Sequence, residues 1–362
     1  MTIRPFSGHN GDALKGGSFT SGNILRVGVI GYGYWGPNLV RNFVESGRSQ
    51  VSYVSDLDHK RLSQVTARYP AIKTTADPLE LIRDAAVDAI AVATPVSTHF
   101  DLAMEALRAG KHVLVEKPMT ATAEQGRRLI EQAGRSRRVL MVDHTFVYTG
   151  AVRKIRELID SGDLGHPYYY DSVRINLGLF QHDVSVIWDL AVHDLAILNY
   201  VLPGTPWGVS ATGIRHVTGG TENIAYLTLF YANSFIAHMH VNWLAPVKIR
   251  RTLIGGSRRM IVYDDLNGSE KVKVYDKGIS VDGDAESVYR LRINYRAGDL
   301  WAPNLDNTEA LQLEVKEFVE AINQGRHPLT DGAAGLLVVE ILEAATRSMA
   351  ERGRLVELNG ER

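Results

Sequence analysis

The chain has 362 residues, enough for about two domains, and 45% of them are hydrophobic, enough for real cores. A formal net charge of −1 gives no basic footprint for nucleic acid, and the absence of cysteine excludes disulfides, thiol nucleophiles and cysteine metal sites. No apolar run approaches the ~18 residues of a membrane span and no apolar signal core precedes the first strand, so a cytoplasmic protein with no membrane partner is expected.

Residues 1–22 are rich in Gly, Ser, Thr and Asn and read as a flexible N-terminal extension. The apolar run Val27-Gly28-Val29-Ile30 then feeds straight into Gly31-Tyr32-Gly33-Tyr34-Trp35-Gly36, a G-x-G-x-x-G turn. Pro37 and the helix-period residues Leu39, Val40, Phe43 and Val44 follow. This order of strand, glycine turn and helix start is what a dinucleotide pyrophosphate needs. Gly31 allows the tight turn, Gly33 lets backbone approach the phosphates, Gly36 lets the helix pack on the strand, and Tyr34 and Trp35 lie within the same cofactor turn. A second strand, Val51 to Ser55, ends at Asp56, which is placed to accept hydrogen bonds from ribose hydroxyls and so to favour NAD; Lys60 and Arg61 leave NADP use open. Strands at 89–93, 112–116 and 139–142 alternate with helices at 99–109 and from Thr122, whose Thr-x-x-Gln resembles a capping box. Residues 23–145 are therefore expected to be a dinucleotide-binding domain with a doubly wound parallel sheet.

Beyond residue 145 the rhythm changes. Helices at 151–160 and 188–200 bracket a strand at 168–176. Strands follow at 209–217, 223–231, 235–244, 248–254, 260–263 and 271–275, with short loops at 232–234 and 255–257 that read as hairpins. Two helices, 308–323 and 333–350, close the chain. Residues 146–362 are expected to form a second, α+β domain with a large, mostly antiparallel sheet, serving substrate binding and oligomerisation. A sheet with one free face suits burial against a second copy, so a homodimer or homotetramer is expected.

Candidate chemistry falls at three places. Glu116-Lys117-Pro118 ends an apolar strand, where an open α/β sheet meets its ligand; Lys117 can stabilise a developing alkoxide, or it can be a surface lysine after a strand. Thr94, Pro95 and His99 follow the 89–93 strand at the same rim, which suits cofactor contact and also suits a plain turn and helix start. Asp189 and His193 lie four apart, so on a helix they share a face; an acid orienting a histidine supports a general base, and an ordinary ion pair or core histidine has the same spacing. Arg174, Asn176 and Gln181 just before that helix are candidates for substrate hydroxyls. His238 and His240 could bind metal, but no third ligand is near in sequence; a polar sheet face is the simpler account, and no metal is expected.

Three signals in fixed order, G-Y-G-Y-W-G, then E-K-P, then D-x-x-x-H-D opening an antiparallel-sheet domain, resemble the glucose–fructose oxidoreductase / inositol dehydrogenase (Gfo/Idh/MocA) family. The resemblance spans roughly residues 24–358. It implies an NAD(P)-dependent oxidoreductase acting on sugar or cyclitol hydroxyls, with Lys117 as the family's E-K-P lysine, Asp189 and His193 as its aspartate–histidine pair, and a cis bond before Pro118. Many members carry N-x-x-R-F after the last strand of the nucleotide domain; here that place reads Asp143-His144-Thr145-Phe146-Val147-Tyr148. The stretches 31–41 and 174–194 look most like the nucleotide-sugar 3-dehydrogenase branch. The expected reaction is hydride transfer between nicotinamide and a secondary hydroxyl or ketone of a sugar, at C3 of a nucleotide sugar such as a UDP-N-acetylhexosamine derivative. The alternatives are a ring hydroxyl of an aminoglycoside or other glycoside, keto-sugar reduction by the same residues, and a non-catalytic dinucleotide sensor.

Overall fold

The computed structural model describes residues 24–177, 184–217, 220–232, 234–276, 278–280, 294–296 and 298–358. The N-terminal extension, Gln181 and the loop residue Asn233 lie outside them. The chain divides into two compact units, one of residues up to 145 together with 309–339, the other of residues 146–308 together with 340–362.

The first unit is built on β1 (Leu25–Ile30), β2 (Ser49–Ser55), β3 (Lys73–Thr75), β4 (Ala89–Val92), β5 (His112–Glu116) and β6 (Leu140–Asp143). Among the described residues these form one six-stranded parallel sheet in the order β3-β2-β1-β4-β5-β6. Strand order reverses at β1, and the crevice beyond the carboxyl ends of β1 and β4 is where such sheets bind ligands. Val27, Val29, Ile90, Ala91, Val113 and Leu114 are fully buried, which is why these strands read as continuous apolar runs rather than alternating ones. The helices are α1 (Gly36–Glu45), α2 (His59–Arg68), α3 (Pro78–Arg83), α4 (Val96–Arg108) and α5 (Ala123–Ser136). Asp58, Asp77 and Thr122 cap α2, α3 and α5 by accepting the N–H groups of Lys60, Leu79 and Gln125, so local sequence sets where each begins.

The second unit opens with α6 (Gly150–Asp160), β7 (Pro167–Leu177), a π-helical turn (Ile187–Ala191) and α7 (Val192–Val201). The single helix expected over 188–200 is thus in two parts. The Val192 N–H bonds the Ile187 carbonyl five residues back, which widens the turn that carries Asp189. Strands β8 (Gly208–Ile214), β9 (Ile224–Phe230), β10 (Ile236–Asn242), β11 (Leu244–Gly256), β12 (Met260–Asp264), β13 (Val272–Tyr275), β16 (Leu300–Trp301) and β17 (Val356–Glu357) join β7 in a nine-stranded sheet. A separate small pair is β14 (Gly278–Ser280) with β15 (Asn294–Arg296). The hairpins β9/β10 and β11/β12 are antiparallel. β10 and β11 follow one another yet do not pair: they flank β7, and β7/β10 is parallel. Trp243, buried between them, anchors the crossing.

Two helices follow, α8 (Ala310–Gln324) and α9 (Gly332–Ala350). Assignment of everything after 145 to the second domain needs correction here, because 309–339 packs with the first unit. Phe318, on the apolar stripe it shares with Leu311, Val315 and Ile322, meets Phe43 of α1 edge-on with ring centroids 6.3 Å apart. Arg41 grips Glu309 through two hydrogen bonds of 3.0 and 2.6 Å, and Thr330 exchanges two with the backbone of Val142.

Candidate active site

The glycine turn is required by its own backbone. Gly31 has φ +95°, and a Cβ there would lie 2.5 Å from the Ala93 carbonyl oxygen. A Cβ on Gly36 would lie 2.1 Å from the Gly31 carbonyl oxygen. Near Gly33 nothing comes closer than the Arg61 guanidinium at 3.6 Å, so a ligand can approach that backbone. No side chain caps α1 and no acid stands in its first turn, leaving its amide end for an anion. Tyr34 is exposed beside it. These features fit a dinucleotide pyrophosphate.

Asp56 is buried at the end of β2. Its carboxylate accepts the Tyr32 N–H at 2.6 Å, the Asp58 N–H at 2.8 Å and the Arg61 guanidinium at 3.4 Å. Arg61, rather than Lys60, is therefore the cation at this carboxylate. After β4, Thr94 and Pro95 shape the rim loop, but His99 is buried and its ring nitrogens lie 2.9 Å from the Pro118 carbonyl and 2.7 Å from the Thr94 carbonyl. Assignment of His99 to the cofactor contacts is corrected on that ground: it braces the two rim loops, with both nitrogens occupied by main chain.

At the end of β5 the Glu116 side chain accepts the Lys117 N–H at 2.7 Å, and the Lys117–Pro118 bond is cis. Next to β5, β6 ends at Asp143, which accepts the Trp35 indole N–H at 2.6 Å and the Thr145 hydroxyl. Trp35, from the glycine turn, is thereby tied to the strand-end cluster. Withdrawal from water, reinforced by Asp143, holds the Glu116 carboxyl well above the usual carboxylate range, with Lys117 pulling the other way. His144 is buried, and burial together with the Lys117 charge pushes it down to about 3, so its ring is neutral. Fully buried Glu314 of α8 faces the same cluster. Sequence reasoning missed Asp143 and Glu314 as site residues. A signal for Glu314 was present: an acid inside the stripe Leu311, Val315, Phe318 at helical spacing.

In the second unit, Asp189 on the π-helical turn accepts the Trp243 indole N–H at 3.1 Å. The His193 ring packs edge-on against Phe146 with centroids 4.9 Å apart. Arg174, on β7, is buried and binds Asp194 of α7 through two hydrogen bonds of 2.8 and 3.0 Å. Its guanidinium also lies over Phe146, 4.6 Å from the centroid, with that of Arg250 at 5.5 Å. Arg174 thus fixes the residue next to His193, a place that favours support over contact with substrate. Asn176, two residues on, shares its strand face and is partly accessible. His238 and His240 lie on the opposite face, each with its ring stacked with that of Tyr226. Among the described residues no group of three or more His, Cys, Asp or Glu side chains is placed to hold a metal ion, and no helix is long and apolar enough to cross a membrane.

Residues 25–144 match the family model of an oxidoreductase family with an NAD-binding Rossmann fold, and residues 152–262 match the GFO/IDH/MocA C-terminal domain. The chain belongs to the Gfo/Idh/MocA oxidoreductases; it is an NAD-dependent enzyme with an N-terminal Rossmann unit and a mostly antiparallel second sheet. It is 30% identical over 319 residues to UDP-N-acetylglucosamine 3-dehydrogenase of Acidithiobacillus ferrooxidans, covering 87% of this chain and 94% of that protein. It is 25% identical over 352 residues to scyllo-inositol 2-dehydrogenase (NAD(+)) of Bacillus subtilis, covering 93% and 97%. The solved structure of the Acidithiobacillus enzyme superposes with a TM-score of 0.75 at 27% identity, over 91% of this chain and 99% of that one. GenD2 from gentamicin A biosynthesis, solved with NAD, shares the fold, with a TM-score of 0.79 at 23% identity over 93% and 97%.

Proposed function

We propose that this enzyme oxidises a secondary ring hydroxyl of a sugar, at C3 of a nucleotide sugar such as a UDP-N-acetylhexosamine derivative. The observation that carries this reading is its likeness along 87% of the chain to a nucleotide-sugar 3-dehydrogenase, together with Lys117, Asp189 and His193 at the family's motif positions. Bound NAD supplies the hydride acceptor at nicotinamide C4. His193, oriented by Asp189, takes the hydroxyl proton as the general base and returns it in the reductive direction. Lys117 stabilises the oxyanion that develops as hydride leaves. One alcohol becomes one ketone, with one proton passed through His193 to solvent; keto-sugar reduction uses the same residues in reverse. Gly31, Gly33, Trp35, Gly36, Asp56 and Glu116 frame the cofactor, and Asn176 is the β7 residue offered to substrate hydroxyls.

Oxidation of UDP-N-acetylglucosamine, UDP-N-acetylglucosaminuronate, free sugars, inositols and aminoglycosides, followed by NADH absorbance, tests the reading. Preferred turnover of a UDP-sugar supports it, and preferred turnover of an aminoglycoside or inositol replaces it. We also propose a cytoplasmic homodimer or homotetramer that covers the open sheet face, where Tyr226 and Ile249 are exposed beside His238 and His240.

A further inference from the structure

The carboxyl of Glu314 has no role in the reaction just described. It belongs to α8 and is fully buried, and neither of its oxygens accepts a hydrogen bond from an N–H or O–H group. The groups it faces are the Asp143 carboxylate and the Thr145 hydroxyl at the end of β6, and the Glu116 carboxyl at the end of β5. Lys117 acts on Glu116 and on neutral His144. Adjacent carboxylates withdrawn from water cannot all be ionised. Asp143 is the member supplied with donors, the Trp35 indole at 2.6 Å and the Thr145 hydroxyl, so the negative charge belongs there. Burial, then Asp143, pushes Glu314 well above the usual carboxylate range, which leaves it a neutral acid with a proton to donate.

We propose that Glu314 is a positioning residue for the cofactor: as a neutral carboxylic acid it presents its proton to Asp143, holds that carboxylate against the Trp35 indole, and so keeps the Gly31–Gly36 turn in its binding shape. The proposal rests on the reading of that turn as the NAD site. Loss of the Glu314 proton sets a second anion beside Asp143, and the turn loses its support.

The test is NADH affinity of the full-length enzyme, by nicotinamide fluorescence, from about pH 6 to about pH 10, for the parent, Glu314→Gln, Glu314→Leu and Trp35→Phe. The parent weakens toward alkaline pH. Glu314→Gln keeps a neutral donor, binds within about threefold of the parent near neutrality, and loses the alkaline decline. Lys117 is unchanged in that variant, so any share of its amine in the decline survives there and is separated. Glu314→Leu and Trp35→Phe each lose about tenfold, as expected for one hydrogen bond, and their combination loses no more than either alone. An alkaline decline undiminished in Glu314→Gln, or a Glu314→Leu variant that binds like the parent, overturns the proposal. If Glu314→Leu does not fold, the pH profile of Glu314→Gln decides alone. Failure of the parent itself to bind NADH defeats the reading of the turn instead, and is thereby distinguished.

Discussion

At the residue scale, three side chains carry the proposed chemistry and separate in kinetics. Lys117→Met is expected to bind NADH normally and to lose ~10²–10³ in kcat, the usual worth of one preorganised electrostatic contact. Turnover within a few-fold of the parent would return Lys117 to the status of a surface lysine. His193→Asn is expected to abolish most oxidation, while Asp189→Asn is milder because it disturbs the base without removing it; the reverse ranking in kcat/KM would exchange their roles. At the ribose end, Asp56→Ala is expected to narrow the preference for NAD over NADP, since the buried carboxylate that repels a 2′-phosphate is gone and Arg61 keeps only Asp58, 3.7 Å away, as a carboxylate partner. The ratio of kcat/KM for the two cofactors checks this. Lys117, His193 and Asp56 stand out in the sequence as candidates because each sits at a fixed offset from a local pattern: an apolar strand, a four-residue spacing, a glycine turn. Asp143 does not, because its partner Trp35 is remote in sequence, and Glu314 shows there only as an acid within an apolar helical stripe, with nothing to say which group it faces. His99 was misjudged because a rim position says nothing about which way a ring turns.

At the element scale, the head of α7 is held by one buried ion pair. Arg174 and Asp194 both have side chains only 4% exposed, and removing one partner leaves a buried charge. Asp194→Asn is expected to cost about 3–5 kcal/mol of stability in urea unfolding, and Arg174→Met/Asp194→Leu to regain much of it. An Asp194→Asn loss below about 1 kcal/mol would mean that water reaches the pair. Glu314 on α8 has the opposite sign of pH dependence from a salt-bridged acid. Its folded-state pKa is raised above the ~4.3 of an unfolded glutamate, so its contribution is most favourable below that pH. Stability is then lost as pH rises from there toward the folded-state value, at a slope of up to ~1.4 kcal/mol for each step of one in pH. Glu314→Gln is expected to remove this decline, read as a higher Tm than the parent at about pH 8. An equal fall of Tm with pH in both proteins would show that Glu314 does not bury an ionisable proton. The π-helical turn under Asp189 escaped sequence reasoning because an extra residue in a helix leaves the apolar spacing nearly intact.

At the scale of the whole molecule, the two sheets were readable from rhythm alone, strand–helix alternation before residue 145 and short hairpins after it. The β7/β10 pairing was not, since no loop length encodes a strand inserted between its successors. Tyr226→Asp with Ile249→Asp is expected to release monomers in sedimentation velocity, as charges on an exposed apolar face oppose its burial; an unchanged oligomer places the interface elsewhere. The return of residues 309–339 to the first unit carries a consequence for synthesis on the ribosome. Phe43 and the edge strand β6 leave the exit tunnel long before Phe318 and Thr330, their partners. At ~5–20 residues per second the gap from 145 to 339 lasts about 10–40 s. Throughout that interval the nascent Rossmann sheet has an uncovered apolar flank, a natural landing place for a chaperone. A gene fragment ending at residue 145 would make that exposure permanent, so recombination can exchange this nucleotide-binding unit intact only with three crossovers, after residue 145, before residue 309 and after residue 339.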